Sequence, residues 1–279
     1  MDKVLIPGSS IAISRLGLGC ARMFGAAELR RSSKLLEAAL KCGITHFDTA
    51  PSYGSEDVLG AVLGDTREAT IATKVGIARA TGNGSATKTV FGPLYRATLR
   101  PLLARAPALK SQLLRAAARQ SPAVAPIAKR RLHRDEVLRE LDDSLRRLRR
   151  KTIDLYLLHE PDGIEITDEL REVFRSLQND GLIRSYGLAF GAIPTGFDRF
   201  GTVVQCRYPG NDTWRRHRDV VPIYHGVVRF GLQQAALEGS RQTAGTLIAR
   251  ALDSQPGSAV IFSASTRRQV HEVSTECGQ

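Results

Sequence analysis

Short apolar runs and longer amphipathic stretches alternate along this chain. Near the start, Lys3 to Ile6 and Ile11 to Ile13 flank Pro7-Gly8-Ser9-Ser10, the pattern of a β-hairpin. Eight strand-length runs follow: Leu16 to Gly19, Ile44 to Asp48, Ala69 to Val75, Asp154 to Leu158, Ser185 to Phe190, Thr202 to Cys206, Val220 to Tyr224 and Ser258 to Phe262. Between them the spacing turns helical. Ser32 to Lys41 carries Leu35, Leu36, Ala39 and Leu40 on one side, and Gly43 ends it. His133 to Arg150 places Val137, Leu138, Leu141, Leu145 and Leu148 on one face. Helices are also predicted over Asp57 to Leu63, Asp168 to Asn179, Arg241 to Leu252 and Thr266 to Ser274, with a brief one at Trp214 to Arg218. Ile193 to Phe200 leaves room for little more than a turn. Strand and helix alternating eight times predict an α/β fold with a parallel barrel. A chain of 279 residues suits one such domain.

One segment interrupts the alternation. From Arg79 to Arg134 there are nine Arg and three Lys but no Asp or Glu, and the remaining 28 basic residues balance 28 acidic ones. The net charge of +12 therefore belongs to this insertion after the third strand, and a uniformly basic nucleic-acid binder would look different. Gly82-Asn83-Gly84-Ser85 is a flexible entry, and Leu94 to Gln120 is a broken helical pattern interrupted by Pro101 and Pro107. An ordered lid over the barrel mouth, a tether and a disordered segment are the alternatives. As a lid, its arginines would favour an anionic substrate or an acidic partner.

Three runs end in charged or polar groups. Asp48 closes the second, Lys74 lies near the end of the third, and His159 follows the fourth; Tyr53 lies in the Pro51-Ser52-Tyr53-Gly54 turn after Asp48. Taken singly, each has an ordinary structural use as cap, surface charge, turn residue or core histidine. In a parallel barrel the four converge at the carboxyl ends of the strands, where such folds build their sites. Lys74 is expected to lower the pKa of Tyr53, with Asp48 pairing to Lys74. Tyr53 would then act as general acid toward a carbonyl oxygen, and neutral His159 would donate a hydrogen bond to it. Glu160 reads as a solvated loop charge.

This quartet, with Arg15-Leu16-Gly17-Leu18-Gly19, Leu157-Leu158-His159-Glu160-Pro161, Val203-Val204-Gln205 and Val260 to Ser265, resembles the aldo-keto reductase family from about Arg15 to Val273. The resemblance implies a (β/α)8 TIM barrel whose bottom is plugged by the N-terminal hairpin. It also implies a reduced nicotinamide cofactor held in an extended pose without a Rossmann domain. Gly17 and Gly19 do suggest a dinucleotide fingerprint, but the third glycine is replaced by Arg at position 22.

By the same resemblance, Gly19, Asp48, Gln205, Tyr224, Ser263, Ser265 and Arg268 are the expected cofactor contacts. Gln205 is assigned to the carboxamide. Tyr224 is assigned to stack on the nicotinamide, with Tyr208 as its rival. Ala189-Phe190 replaces the polar pair that binds the carboxamide elsewhere in the family. The turn Ser263 to Arg268, at a helix start, suits the 2′-phosphate of NADP. Gln269 and Val273 replace the family's Arg and Asn, which leaves NAD as the alternative. No metal site is expected.

Cys20, Cys42, Cys206 and Cys277 are widely spaced and read as reduced thiols of a cytoplasmic protein. The N-terminus lacks a leader pattern, and no apolar run approaches a transmembrane length. The expected activity is NADP-preferring reduction of an aldehyde or ketone, or the reverse alcohol oxidation, on a small molecule. A cofactor-binding regulatory protein and a membrane- or polyanion-associated protein are the rivals.

Overall fold

The computed structural model describes residues 1–21, 23, 29–64, 66–77, 129–194, 199–210 and 219–278. The chain divides into two compact units, residues 1–78 with 130–279, and residues 79–129. The expectations for Gly82 to Gln120, the lid included, and for the helix at Trp214 to Arg218 lie outside the described residues.

Strands β1 (Lys3–Leu5) and β2 (Ala12–Ser14) form the antiparallel hairpin. Eight parallel strands then close a barrel: β3 (Leu16–Gly19), β4 (His46–Asp48), β5 (Thr70–Val75), β6 (Ile153–His159), β7 (Ile183–Ala189), β8 (Val203–Arg207), β9 (Val221–His225) and β10 (Ala259–Phe262). Closure is by β10 on β3, with Val260 opposite Leu16 and Phe262 opposite Leu18. The described helices are α1 (Leu29–Lys41), α2 (Glu56–Leu63), α3 (Arg134–Leu148), α4 (Asp168–Asn179), α5 (Val227–Leu237), α6 (Ala244–Ser254) and α7 (Arg267–Glu276).

The barrel has two apolar layers because the strand period is two. Ala72, Leu155, Leu157, Val203, Val221, Ile223, Ala259 and Ile261 form the inner cluster. Ile6, Ile11 and Ile13 of the hairpin join it, and Val203, Val221 and Ala259 are the first residues of their strands. The hairpin therefore plugs the amino-terminal end. Alternate residues such as Phe47, Ile71, Tyr156, Leu158, Val204 and Tyr224 pack outward with Leu36, Leu141 and Phe174 of the helices.

Buried charges tie helices to strands. Asp154 accepts from Ile71 N, Arg150 Nη1 and Arg184 Nη1 at 2.9, 3.0 and 2.9 Å. Glu56, at the start of α2, accepts from Thr73 Oγ1 at 2.7 Å and Arg147 Nε at 2.6 Å, joining β5 to α3. Arg130 Nη1 donates to Gly76 O at 3.1 Å and Arg130 N donates to Gly163 O at 2.8 Å, bonds within the first unit.

Helix α5 has no counterpart in the sequence reading. Its Val-Val start and internal Gly231 argue against a helix on propensity alone. Tertiary packing overrides that: a Cβ at Gly231 would come within 2.4 Å of Leu247, so glycine lets α5 lie close against α6.

Candidate active site

The carboxyl ends of β4, β5 and β6 bring Asp48, Lys74 and His159 together, and the single turn Pro51–Tyr53 adds the tyrosine. Gly54 at φ 72° closes that turn. Lys74 Nζ donates to Asp48 Oδ1 at 2.6 Å and to Thr49 O at 2.7 Å. It stands 5.0 Å from the centroid of the Tyr53 ring. Tyr53 and His159 meet edge to face, with centroids 5.8 Å apart.

The electrostatics follow from burial. Lys74 is 1% exposed. Burial pulls its pKa down, but Asp48 and Tyr53 more than reverse this and leave it above its ordinary value. The His159 imidazole is lowered to about 4 by burial and by Lys74, so it is neutral near pH 7. Tyr53 differs from expectation: burial raises its pKa, and the opposing pull of Lys74 does not cancel the rise. The phenol therefore holds its proton through neutral pH.

These four side chains line part of a cavity of about 1230 Å³. From there the cavity passes Gln205 and His225 to the first turn of α5 at Val227, Val228 and Arg229. It also takes in Thr243, which caps α6, with Ala244 and Gly245 at the start of that helix, and Gln269, Glu272 and Glu276 of α7. Two buried polar atoms of lining residues, Gln205 Oε1 and His159 Nδ1, have no hydrogen-bond partner among the described residues. Such groups are costly unless something pairs with them.

Of the residues expected to hold a cofactor, Gly19, Asp48, Gln205 and Ser263 line the cavity. Three do not. Tyr224 is fully buried and packs outward against Tyr208, at a centroid distance of 5.4 Å. The strand period explains this: Ile223 and His225 are the inward positions of β9, so His225 and not Tyr224 lines the cavity. The rival Tyr208 is likewise engaged with Tyr224 and Phe230 rather than the cavity. Ser265 is engaged through its backbone, its N–H donating to Gln269 Oε1 at 2.7 Å and its carbonyl accepting from Arg31 Nη2 at 2.8 Å. The Arg268 side chain is 87% exposed and donates to Glu272 Oε1 at 2.6 Å.

Several lining residues escaped the sequence reading. His225 Nε2 contacts Phe190 O at 2.9 Å, and because a carbonyl only accepts, Nε2 carries the proton. Alternation along β9 was the signal that could have found it. Glu276 accepts from Thr243 Oγ1, from Thr246 N at 3.0 Å and from Thr246 Oγ1 at 3.2 Å. These bonds, that from Thr243 foremost, hold its carboxyl below the usual range. Nothing in the spacing of Thr243 and Glu276 announces that contact. Glu160, read as a solvated loop charge, is exposed and also lines the cavity.

Among the described residues no cluster of His, Cys, Asp and Glu could hold a metal ion, and no helix is long and apolar enough to cross a membrane.

The aldo/keto reductase family model matches residues 15–194. The chain is 28% identical over 199 residues to aldo-keto reductase YhdN of Bacillus subtilis, covering 68% of this chain and 47% of that protein. It is 28% identical over 185 residues to 6-dehydroglucose reductase of Novosphingobium aromaticivorans, covering 65% and 49%. The chain thus spans about half the length of the curated relatives it matches. Among solved structures, the holo form of aldo-keto reductase AKR11C1 from Bacillus halodurans aligns with a TM-score of 0.68 at 20% identity, covering 100% of this chain and 91% of that one. An aldo-keto reductase from Klebsiella pneumoniae in complex with NADPH aligns with a TM-score of 0.63 at 19% identity and the same coverage. These identities carry the fold alone. The family model covers more than half of the sequence, and the barrel it implies is the barrel observed: the chain belongs to the aldo/keto reductase family.

Proposed function

We propose that this protein is an NADP-preferring oxidoreductase that interconverts a carbonyl and an alcohol. The observation that carries the reading is the buried Lys74–Asp48 pair beside Tyr53 and neutral His159, all four lining one cavity.

The cavity fits an extended dinucleotide. Gln205 Oε1 is placed to accept from a carboxamide. The N-terminus of α5 with Arg229 suits a pyrophosphate, and Ser263, Gln269 and Glu272 suit an adenosine. When bound, the nicotinamide supplies or accepts the hydride. Tyr53 Oη gives its proton to the carbonyl oxygen during reduction and takes it back during oxidation. Lys74 stabilises the phenolate formed in that step, and Asp48 fixes Lys74. His159 orients the carbonyl oxygen, and its depressed pKa keeps it a neutral donor. The preference for NADP draws on Ser263 at the cavity edge and on the Klebsiella pneumoniae neighbours, which are complexes with NADPH and with NADP.

Two features pull the substrate charge in opposite directions. The twelve positive charges from Arg79 to Arg134 favour an anion, but residues 79–128 lie outside the described ones. Among the described residues, the lining of the catalytic end carries a carboxylate, Glu160.

Loss of NADPH absorbance with a panel of reactive aldehydes tests the proposal. Turnover that disappears with Tyr53→Phe supports it. Cofactor binding seen by fluorescence, with no aldehyde reduced, favours a cofactor-binding protein instead.

A further inference from the structure

Glu160 directly follows His159, and its backbone lies in the left-handed region at φ 52° and ψ 60°. Among the described residues one other non-glycine residue does so, Arg149, which ends α3, where that conformation is common. Glu160 has no such helix to end. Its conformation is imposed by its neighbours: Glu160 N donates to Ala189 O at 2.8 Å, Gly163 N donates to Glu160 O at 3.1 Å, and Pro161 follows. A residue held this way near a candidate active site points to a role for its side chain.

That side chain reaches over Gly191. A Cβ built at Gly191 would fall 2.4 Å from Glu160 Oε1, so glycine there leaves room for the carboxylate. Both residues line the cavity beside Tyr53 and His159. The other carboxylates of the lining, and Lys74, are engaged. Lys74 belongs to Asp48, Glu272 to Arg268, and Glu276 to Thr243 and Thr246. Arg229 stands on α5. Glu160 has no ion-pair partner among the described residues. The catalytic end of the cavity therefore presents one uncommitted negative charge.

We propose that Glu160 is a specificity-determining residue and selects carbonyl substrates that bear a cationic group, a quaternary or protonated amine, a few atoms from the carbonyl. This rests on the reductase reading above. Glu160 is exposed, so the attraction is screened by water but keeps its sign, and the same carboxylate repels an anionic competitor.

The test uses three benzaldehydes that differ only at the para position, carrying a trimethylammoniomethyl, a neopentyl or a carboxymethyl group. The methylene insulates the carbonyl electronically. With the full-length protein and NADPH, kcat/KM is expected to favour the cationic aldehyde over the neutral one by about tenfold, and to place the anionic one last. Glu160→Gln should bring the cationic-to-neutral ratio close to one, and Glu160→Asp should keep its direction. Equal kcat/KM for all three aldehydes in the wild type, or preference for the anion, overturns the proposal, and this needs no variant to fold. An unchanged ratio in Glu160→Gln also overturns it. So does a variant that alters only the relative affinity for oxidised and reduced cofactor, which would place the carboxylate on the nicotinamide. Turnover of the neutral aldehyde without charge preference leaves the reductase reading standing, whereas no turnover of any member removes both.

Discussion

The ammonium of Lys74 lies 5.0 Å from the centre of the Tyr53 ring, and Asp48 holds that ammonium from the other side at 2.6 Å. The pair is almost wholly out of water, so neither charge has a solvent shell to fall back on. Removing one partner of such a pair typically costs about 3–5 kcal/mol, because the other is left buried and uncompensated. The geometry commits Lys74 to one place, and Tyr53 to a site where phenolate, once formed, meets a fixed positive charge.

Tyr53→Phe removes the proton donor and keeps the ring that packs against His159. Turnover of any carbonyl the wild type reduces should fall by about 10²–10⁴-fold. Cofactor affinity, measured by fluorescence titration, should stay within the wild-type range. Full activity in the variant would show that Tyr53 is not the acid.

The pH profile follows from the two perturbed groups. Reduction needs Tyr53 protonated, and its pKa lies above the ordinary tyrosine value. It also needs His159 neutral, and His159 takes its proton only near pH 4. Reduction should therefore be level across neutral pH and decline only in strong alkali. A measured alkaline limb centred at about pH 7 would contradict the buried-phenol account.

His46 couples folding to pH. It is fully buried at the base of β4, its Nε2 lacks a partner among the described residues, and burial lowers its pKa to about 4. The folded-state value lies below the unfolded one of about 6.5, so the unfolded chain binds a proton that the native state refuses. Its contribution is fully present above pH 6.5 and is lost as pH falls toward 4. Between pH 7 and pH 5 this amounts to about 2 kcal/mol. Urea denaturation of the wild type and His46→Gln at both pH values should show the variant losing that much less. His159 shifts in the same direction and is common to both proteins, so it cancels in the comparison.

Gln205→Leu separates binding from stability. Gln205 Oε1 is buried without a partner among the described residues, so leucine should leave the melting temperature of the free protein unchanged or raise it. The rise in melting temperature that NADP(H) produces should shrink, because the carboxamide loses its acceptor. A lower melting temperature for the free variant, with the ligand-induced rise intact, would make Gln205 a structural residue.

Much of the barrel could be read from the chain because period two and period 3.6 are local properties. Each of the eight predicted strands lies within one or two residues of an observed one, and the hairpin at Lys3 to Ile13 is where Pro7-Gly8 placed it. Asp48, Lys74 and His159 were legible for the same reason: each closes or nearly closes an apolar run, and parallel strands carry run ends to one rim. The misses are of another kind. Which face Tyr224 takes depends on register around the closed barrel, where Gln205 lies opposite Ile223 and Cys206 opposite Tyr224. Helix α5 forms because Gly231 can approach Leu247, a residue in another helix. The proton affinity of Tyr53 was misjudged because a nearby lysine is visible in a sequence and depth is not: only the assembled barrel decides how much water the phenol loses. Glu160 is exposed, as a loop charge should be, but its place at the cavity over Gly191, thirty-one residues away, was not visible in the sequence. The sequence by itself determined the elements and the chemical types at their ends, because neighbours along the chain set both. Only the tertiary structure decided facing, burial and partnership, because those depend on residues that meet across the barrel.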